Sequence, residues 1–192
     1  MLFRSGPGSF IGGWIIDDLG ACDALLEYFH ASDRQVPGQI GSGQVDPEIK
    51  DSRDLQLDYS NFEDAPVARY LESLRAVCMA YVEKYNACAA VDGWGITEKV
   101  NIQRYAPGGG YKAWHCERYG KEMPGAARHL VFMTYLNDVT DAGGTEFLYQ
   151  GITAPARKGL TLIWPADWTH HHRGVVSPTQ EKVIITGWFS FT

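Results

Sequence analysis

The sequence predicts an α+β protein: a double-sheet jelly roll with N-terminal helices packed on one of its sheets. Three observations predict it. Helical periodicity is confined to the first half of the chain. After Gly93 the pattern turns to short β-runs, and these runs are separated by the turn signals PGGG, MPG, DAGG, PARKG and SPTQ. With 192 residues, 45% of them hydrophobic and 21% charged, the chain suits one domain with a substantial core. Within it, residues 1–95 read as helical support and lid, and residues 96–192 as the jelly-roll core.

Residues 15–29 start as a strand and break at Asp17 and Asp18. They then place Ala21, Leu25, Leu26 and Phe29 at helical spacing, which predicts a short amphipathic helix. From residue 31 to 52 the chain is rich in Gly, Pro, Ser and Gln (VPGQIGSGQVDPE) and keeps no period. This predicts a long loop, and residues 36–52, with glycines from Gly38 to Gly43, read as a lid. Ser60 opens the clearest helix. Ser60 and Glu63 have capping-box spacing, Pro66 falls in the first turns, and Val67, Tyr70, Leu71, Leu74, Val77, Cys78, Tyr81, Val82 and Tyr85 follow a helical period. Strands are expected over 99–105, 111–115, 129–136, 145–148, 160–164, 170–173 and 183–191. Gly108 to Gly110 read as a turn, not a phosphate cradle, since no capped helix follows them.

Composition narrows the function. A net charge of -6 without clustered Lys and Arg argues against nucleic acid as a partner. No apolar run approaches the length of a membrane span. The opening MLFRSGPGSFIGGWIIDDLG lacks the apolar region and cleavage site of a signal peptide. Cys22, Cys78, Cys88 and Cys116 form no C-x-x-C pair and read as reduced thiols, so a cytoplasmic protein is expected.

The chemistry concentrates in the second half. His115 and Glu117 are an i, i+2 pair. If the strand from Tyr111 runs through them they point to one side of the sheet, with Cys116 facing away. The stretch WPADWTHHHRG supplies His172, and SPTQ offers a turn into KVIITGWFSF. A hairpin centred near Ser177 would set His172 opposite Lys182, and Ile184, Thr186 and Trp188 would share the face of Lys182. Two imidazoles and one carboxylate converging on a metal leave its opposite face open, as in a non-haem Fe(II) oxygenase, and a nearby cation suits a dicarboxylate co-substrate. His170 and His171 read as structural or solvated. An aromatic and cationic rim of Trp114, Arg118, Tyr119 and Tyr111 suits a peptide or an amino acid as substrate.

On the runs NIQRYAPGGGYKAWHCE, HLVFMTYLNDV followed by GGTEF, KGLTLIWPADWTHHHRG and EKVIITGW, residues 98–191 resemble the Fe(II)- and 2-oxoglutarate-dependent dioxygenases, prolyl 4-hydroxylase-like branch. The resemblance implies a double-stranded β-helix spanning one dioxygenase domain over 1–192, with His115, Glu117 and His172 as metal ligands. It places Lys182, Thr186, Tyr105 and Tyr135 around 2-oxoglutarate. Fe(II), O2 and 2-oxoglutarate are implied, with ascorbate as reductant. The implied reaction hydroxylates an aliphatic C–H of a prolyl residue or amino acid and releases succinate and CO2. Glu117 departs from the family, where Asp is usual, and the extra methylene requires a shift of the backbone. Two other readings compete: a jelly-roll protein that holds a metal or carboxylate without turnover, and a Zn or Mn cupin-type enzyme, in which Lys182 and Thr186 would lack a purpose.

Overall fold

A computed structural model describes residues 6, 8–41 and 43–192. Residues 1–5 and Pro7, within the segment read for a signal peptide, and Ser42, within the lid, lie outside the described residues. In chain order the elements are β1 (Gly12–Ile15), α1 (Gly20–Ala31), β2 (Val36–Pro37), β3 (Lys50–Asp51), β4 (Arg53–Leu57), α2 (Ala65–Lys84), β5 (Trp94–Gly95) and β6 (Val100–Tyr105). They continue with β7 (Gly110–Tyr111), β8 (Arg128–Tyr135), β9 (Thr145–Phe147), β10 (Ile152–Ala154), β11 (Leu160–Pro165), β12 (His172–Gly174) and β13 (Lys182–Phe191).

The large sheet runs β1-β11-β8-β13-β6-β4-β2, with β5 also paired to β13. The small sheet is β10-β9-β12, and β3 pairs with β7. This is the expected α+β jelly roll with its helices on one sheet. Period-2 alternation decides which residues meet which layer. Leu55, Leu57, Val100, Ile102, Leu130, Phe132, Val183, Ile185 and Phe189 join the helix residues Leu25, Phe29, Val67, Tyr70, Leu74 and Tyr81 in one apolar core. Gly187 carries no side chain because the Phe132 ring lies where a Cβ would meet it, at 2.6 Å. Tyr135, Met133, Leu162, Trp164 and Ile184 turn to the other face and pack with Phe147 and Ala154 of the small sheet.

Three expectations need correction. The second helix begins at Ala65, with Asp64 at the N-cap position, its carboxylate taken by Tyr28 and Asn61 instead of the helix backbone, and Pro66 in its first turn. The capping box upstream is formed by Asp58 and Asn61 around a short 3-10 turn, and Ser60 donates its hydroxyl to Asp58 at 2.6 Å instead of capping a helix. The segment read as a long loop contains short strands: β2 pairs with β4 at the sheet edge, and β3 lies on β7. The hairpin joining His172 to Lys182 does not form. His172 pairs with Phe147 in the small sheet, whereas Lys182 pairs with Tyr105 in the large one. After β12, Val175 N–H still bonds to Gly144 O (2.8 Å) and Gly108 N–H bonds to Ser177 O (2.8 Å), so the chain leaves the small sheet and crosses to the large one instead of folding back.

Candidate metal centre and its cavity

A cavity of about 290 Å³ lies between the two sheets, and residues from both sheets line it. His115 and Glu117 arrive on irregular backbone, not on an extended β7, and Cys116 borders the same cavity instead of facing away. Two interactions hold this segment in place. His115 forms an isolated bridge with His172, with N–H to O distances of 3.1 and 2.9 Å, and the N–H groups of Glu117 and Arg118 both bond to Ala166 O. Convergence on one point therefore comes from pairing with the small sheet and not from strand alternation.

The side chains meet closely. Glu117 Oε1 is 3.4 Å from His115 Nε2 and 3.5 Å from His172 Nε2. Each histidine turns Nδ1 to a backbone carbonyl, His115 to Ala113 O and His172 to His170 O, both at 3.0 Å. A carbonyl accepts only, so Nδ1 carries the proton in each ring, a tautomer assigned from its acceptor. In the neutral rings both Nε2 lone pairs then face a carboxylate oxygen, an arrangement that calls for a cation between them. A metal bound at roughly 2.1 Å to each atom would set adjacent ligand atoms roughly 3 Å apart. The spacing and the donor chemistry therefore fit a divalent metal.

Electrostatics agree. Burial is the largest influence on the Glu117 carboxyl and pushes its pKa up, but the hydrogen bonds and charge that His115 and His172 supply when Nε2 also carries a proton hold it well below the usual carboxylate range, the role a metal ion between them would take over. Burial lowers the pKa of His172, assisted by His115, which favours the neutral ring that a metal requires.

Lys182 lies on the opposite sheet, 4% exposed. Its Nζ touches Val175 O at 3.4 Å and sits 5.0 Å from the Tyr105 ring centroid. Among the described residues no carboxylate forms an ion pair with it, and desolvation alone lowers its pKa to about 8. A buried cation of this kind is costly unless an anion arrives. Tyr105, Tyr135, Ile184, Thr186 and Trp188 line the same cavity. Their polar groups are partly engaged: Tyr105 donates to Gln103 Oε1 (2.6 Å), Tyr135 lies 2.7 Å from Thr145 Oγ1, and Thr186 donates to Phe132 O (2.8 Å).

The residues expected at the substrate rim separate. Tyr111 stacks on His115 with centroids 3.8 Å apart and lines the cavity. Tyr119 lines it with Gln39, Ile40 and Gly41, and its hydroxyl fills the space a Cβ would take at Gly41. Trp114 and Arg118 do not line the cavity. Trp114 packs under the Arg173 guanidinium at 4.5 Å, and Arg118 makes a bidentate pair with Asp167 at 2.9 and 2.6 Å. His170 is buried on Ser9 O at 2.9 Å, and His171 lies 2.7 Å from Trp168 O, so neither joins the metal cluster.

The residues missed are polar. Asn101 and Gln103 share the cavity face of β6 with Tyr105, and Lys50 and Asp54 form a buried ion pair at its far wall (2.5 Å). Arg128 also lines the cavity. The alternation Asn101, Gln103, Tyr105 was a readable signal, as was Asp54, Gln56 against Leu55, Leu57 in β4. Arg128 gave none.

Residues 100–190, the stretch that holds the triad and Lys182, match the sequence model of the 2OG-Fe(II) oxygenase superfamily. No curated protein matches the sequence. The fold is shared with a prolyl-4-hydroxylase from Pseudomonas putida at 17% identity and TM-score 0.71, over 94% of this chain and 92% of that one. It is shared with the viral collagen prolyl hydroxylase of Paramecium Bursaria Chlorella virus-1, a 2OG complex, at 17% identity and TM-score 0.70, over 96% and 98%. A prolyl hydroxylase from Trichoplax adhaerens, in complex with a hypoxia inducible factor peptide fragment, aligns at 13% identity and TM-score 0.73, over 95% and 84%.

Proposed function

We propose that the chain is a single-domain Fe(II)- and 2-oxoglutarate-dependent dioxygenase that hydroxylates an aliphatic C–H of a prolyl residue or amino acid. The observation that carries this reading is the pairing of two features in one cavity: a His115–Glu117–His172 cluster with inward lone pairs, and a buried Lys182 that has no acidic partner among the described residues. One binds a metal and the other binds a dicarboxylate, and few functions need both. When bound, Fe(II) with 2-oxoglutarate and O2 supplies the oxidative decarboxylation to succinate and CO2 and the hydroxylation of substrate.

The chain's own residues do the rest. His115 and His172 offer Nε2, with Nδ1 fixed on carbonyls, and Glu117 offers Oε1. Lys182 supplies a point charge for the far carboxylate, with the Thr186 hydroxyl lone pairs and the Tyr105 and Tyr135 rings shaping the space around it. Tyr111 braces the His115 ring. The roof of Gln39, Ile40, Gly41 and Tyr119 limits water at the site and frames the entry of substrate.

The test is succinate formation from 2-oxoglutarate by the Fe(II)-loaded protein with ascorbate as reductant, against a His172→Ala control. Succinate well above that control is expected. Equal traces from both proteins would sink the enzyme reading and leave a binding protein.

A further inference from the structure

Glu117 is one methylene longer than the usual aspartate, and the structure shows what its second oxygen does. Oε2 accepts a 2.9 Å hydrogen bond from the Trp188 indole Nε1. Arg128 Nη1 lies 3.6 Å from the same oxygen and donates to Glu117 O at 3.0 Å. The Arg128 guanidinium lies 3.5 Å over the Trp188 ring and grips Glu98 at 2.9 and 2.6 Å, and Ser190 donates to Glu98 at 3.2 Å. Oε1 alone is left facing the two Nε2 atoms.

We propose that Trp188 is a positioning residue: its indole N–H holds Oε2 of Glu117 aside, so that the longer carboxylate presents one oxygen to the metal. The proposal rests on the metal-binding reading above. An indole N–H is a single donor at a fixed place, so it engages one carboxylate oxygen and leaves the other for the metal. Trp188 sits in the central strand of the large sheet, opposite Val131 of β8, which fixes where that donor lies. Arg128 in turn holds the ring by stacking on its face. The extra rotatable bond of glutamate is thus absorbed by a donor on a rigid strand, and the backbone of Glu117 stays tied to Ala166.

A Co(II) titration followed by calorimetry and visible absorption tests this. Trp188→Phe keeps an aromatic ring under Arg128 and removes the donor. It is expected to weaken Co(II) binding about 10- to 100-fold, the usual effect of losing a partner that orients a ligand, and to alter the Co(II) spectrum. In the Glu117→Asp background the shorter side chain leaves Trp188 out of reach, so adding Trp188→Phe should change affinity by less than about threefold. Co(II) affinity of Trp188→Phe within threefold of the parent, or an equal loss in both backgrounds, would overturn the proposal. If Trp188→Phe fails to fold, the benzothiophene isostere of tryptophan placed at position 188 keeps the shape, replaces N–H by sulfur and gives the same two outcomes. A parent protein that binds no Co(II) would instead defeat the metal reading itself, independently of residue 188.

Discussion

Along β13, Val183, Ile185 and Phe189 turn toward the helices, while Lys182, Ile184, Thr186 and Trp188 turn into the cavity. One strand thus serves two environments. On the helix face every group is apolar, and its worth is the area removed from water. On the cavity face the Thr186 hydroxyl and the Trp188 indole have partners, but the buried Lys182 ammonium has only a long bond to Val175 O, which costs stability and is useful only when an anion arrives. The difference teaches that stability and chemistry are separated here by the period of the strand, residue by residue.

This contrast can be broken from the helix face first. Ile185 is fully buried, and Ile185→Ala should cost about 2–5 kcal/mol in denaturant unfolding. At temperatures where the variant stays folded, metal binding should be unchanged. A cost below about 1 kcal/mol would show that this face is not the packed core described.

The cavity face should respond in the opposite way. Lys182→Met is expected to weaken 2-oxoglutarate binding about 10- to 100-fold, the loss of a charge-assisted bond of about 1.5–3 kcal/mol. It should leave the unfolding midpoint unchanged or higher, because it removes a buried cation that has no acidic partner among the described residues. Calorimetry and thermal melts read both effects. A variant that loses stability without losing affinity would reverse the assignment.

Acidity sharpens the same point. Burial lowers the Lys182 pKa to about 8, against an ordinary lysine near ~10.4 in the unfolded chain. Between these values the unfolded chain holds more protons, so stability of the ligand-free protein should rise with pH across that window. Affinity for 2-oxoglutarate should move the other way. The carboxylate needs the ammonium, so binding should fall by up to about tenfold per pH unit above pH 8, and Lys182→Met should abolish that slope. A flat profile in the parent would exclude Lys182 as the anion's partner.

The smallest effect belongs outside the cavity. Arg118 and Asp167 pair at the surface, their side chains 32% and 38% exposed. Arg118→Ala should cost no more than about 1 kcal/mol and leave Co(II) affinity unaltered.

Much of this architecture was legible because β6, β8, β11 and β13 carry strong alternating or continuous apolar patterns between turn signals, and α2 keeps its period over many turns. Short elements were harder. β4 shows a clear alternation of Asp54, Leu55, Gln56 and Leu57, yet it lies next to a loop-like composition that drowned it. At the site, His115, Glu117, His172 and Lys182 were each identifiable as residues, but not the way they meet. The turn at Ser177 looks like a hairpin locally, and only long-range pairing of β12 with β9 sends the chain to the other sheet. The bond from Trp188 to Glu117 joins residues far apart in sequence on different elements, and no local pattern announces such a contact.

That crossing has a mechanical consequence. His172 belongs to the small sheet and Lys182 to the large one. On the proposed reading, a diacid chelated at one end and gripped at the other would act as a bolt through the sandwich. Metal or diacid alone would fasten one layer; together they would clamp both, so slowed amide exchange in β12 and β13 at once should appear only when the two are present.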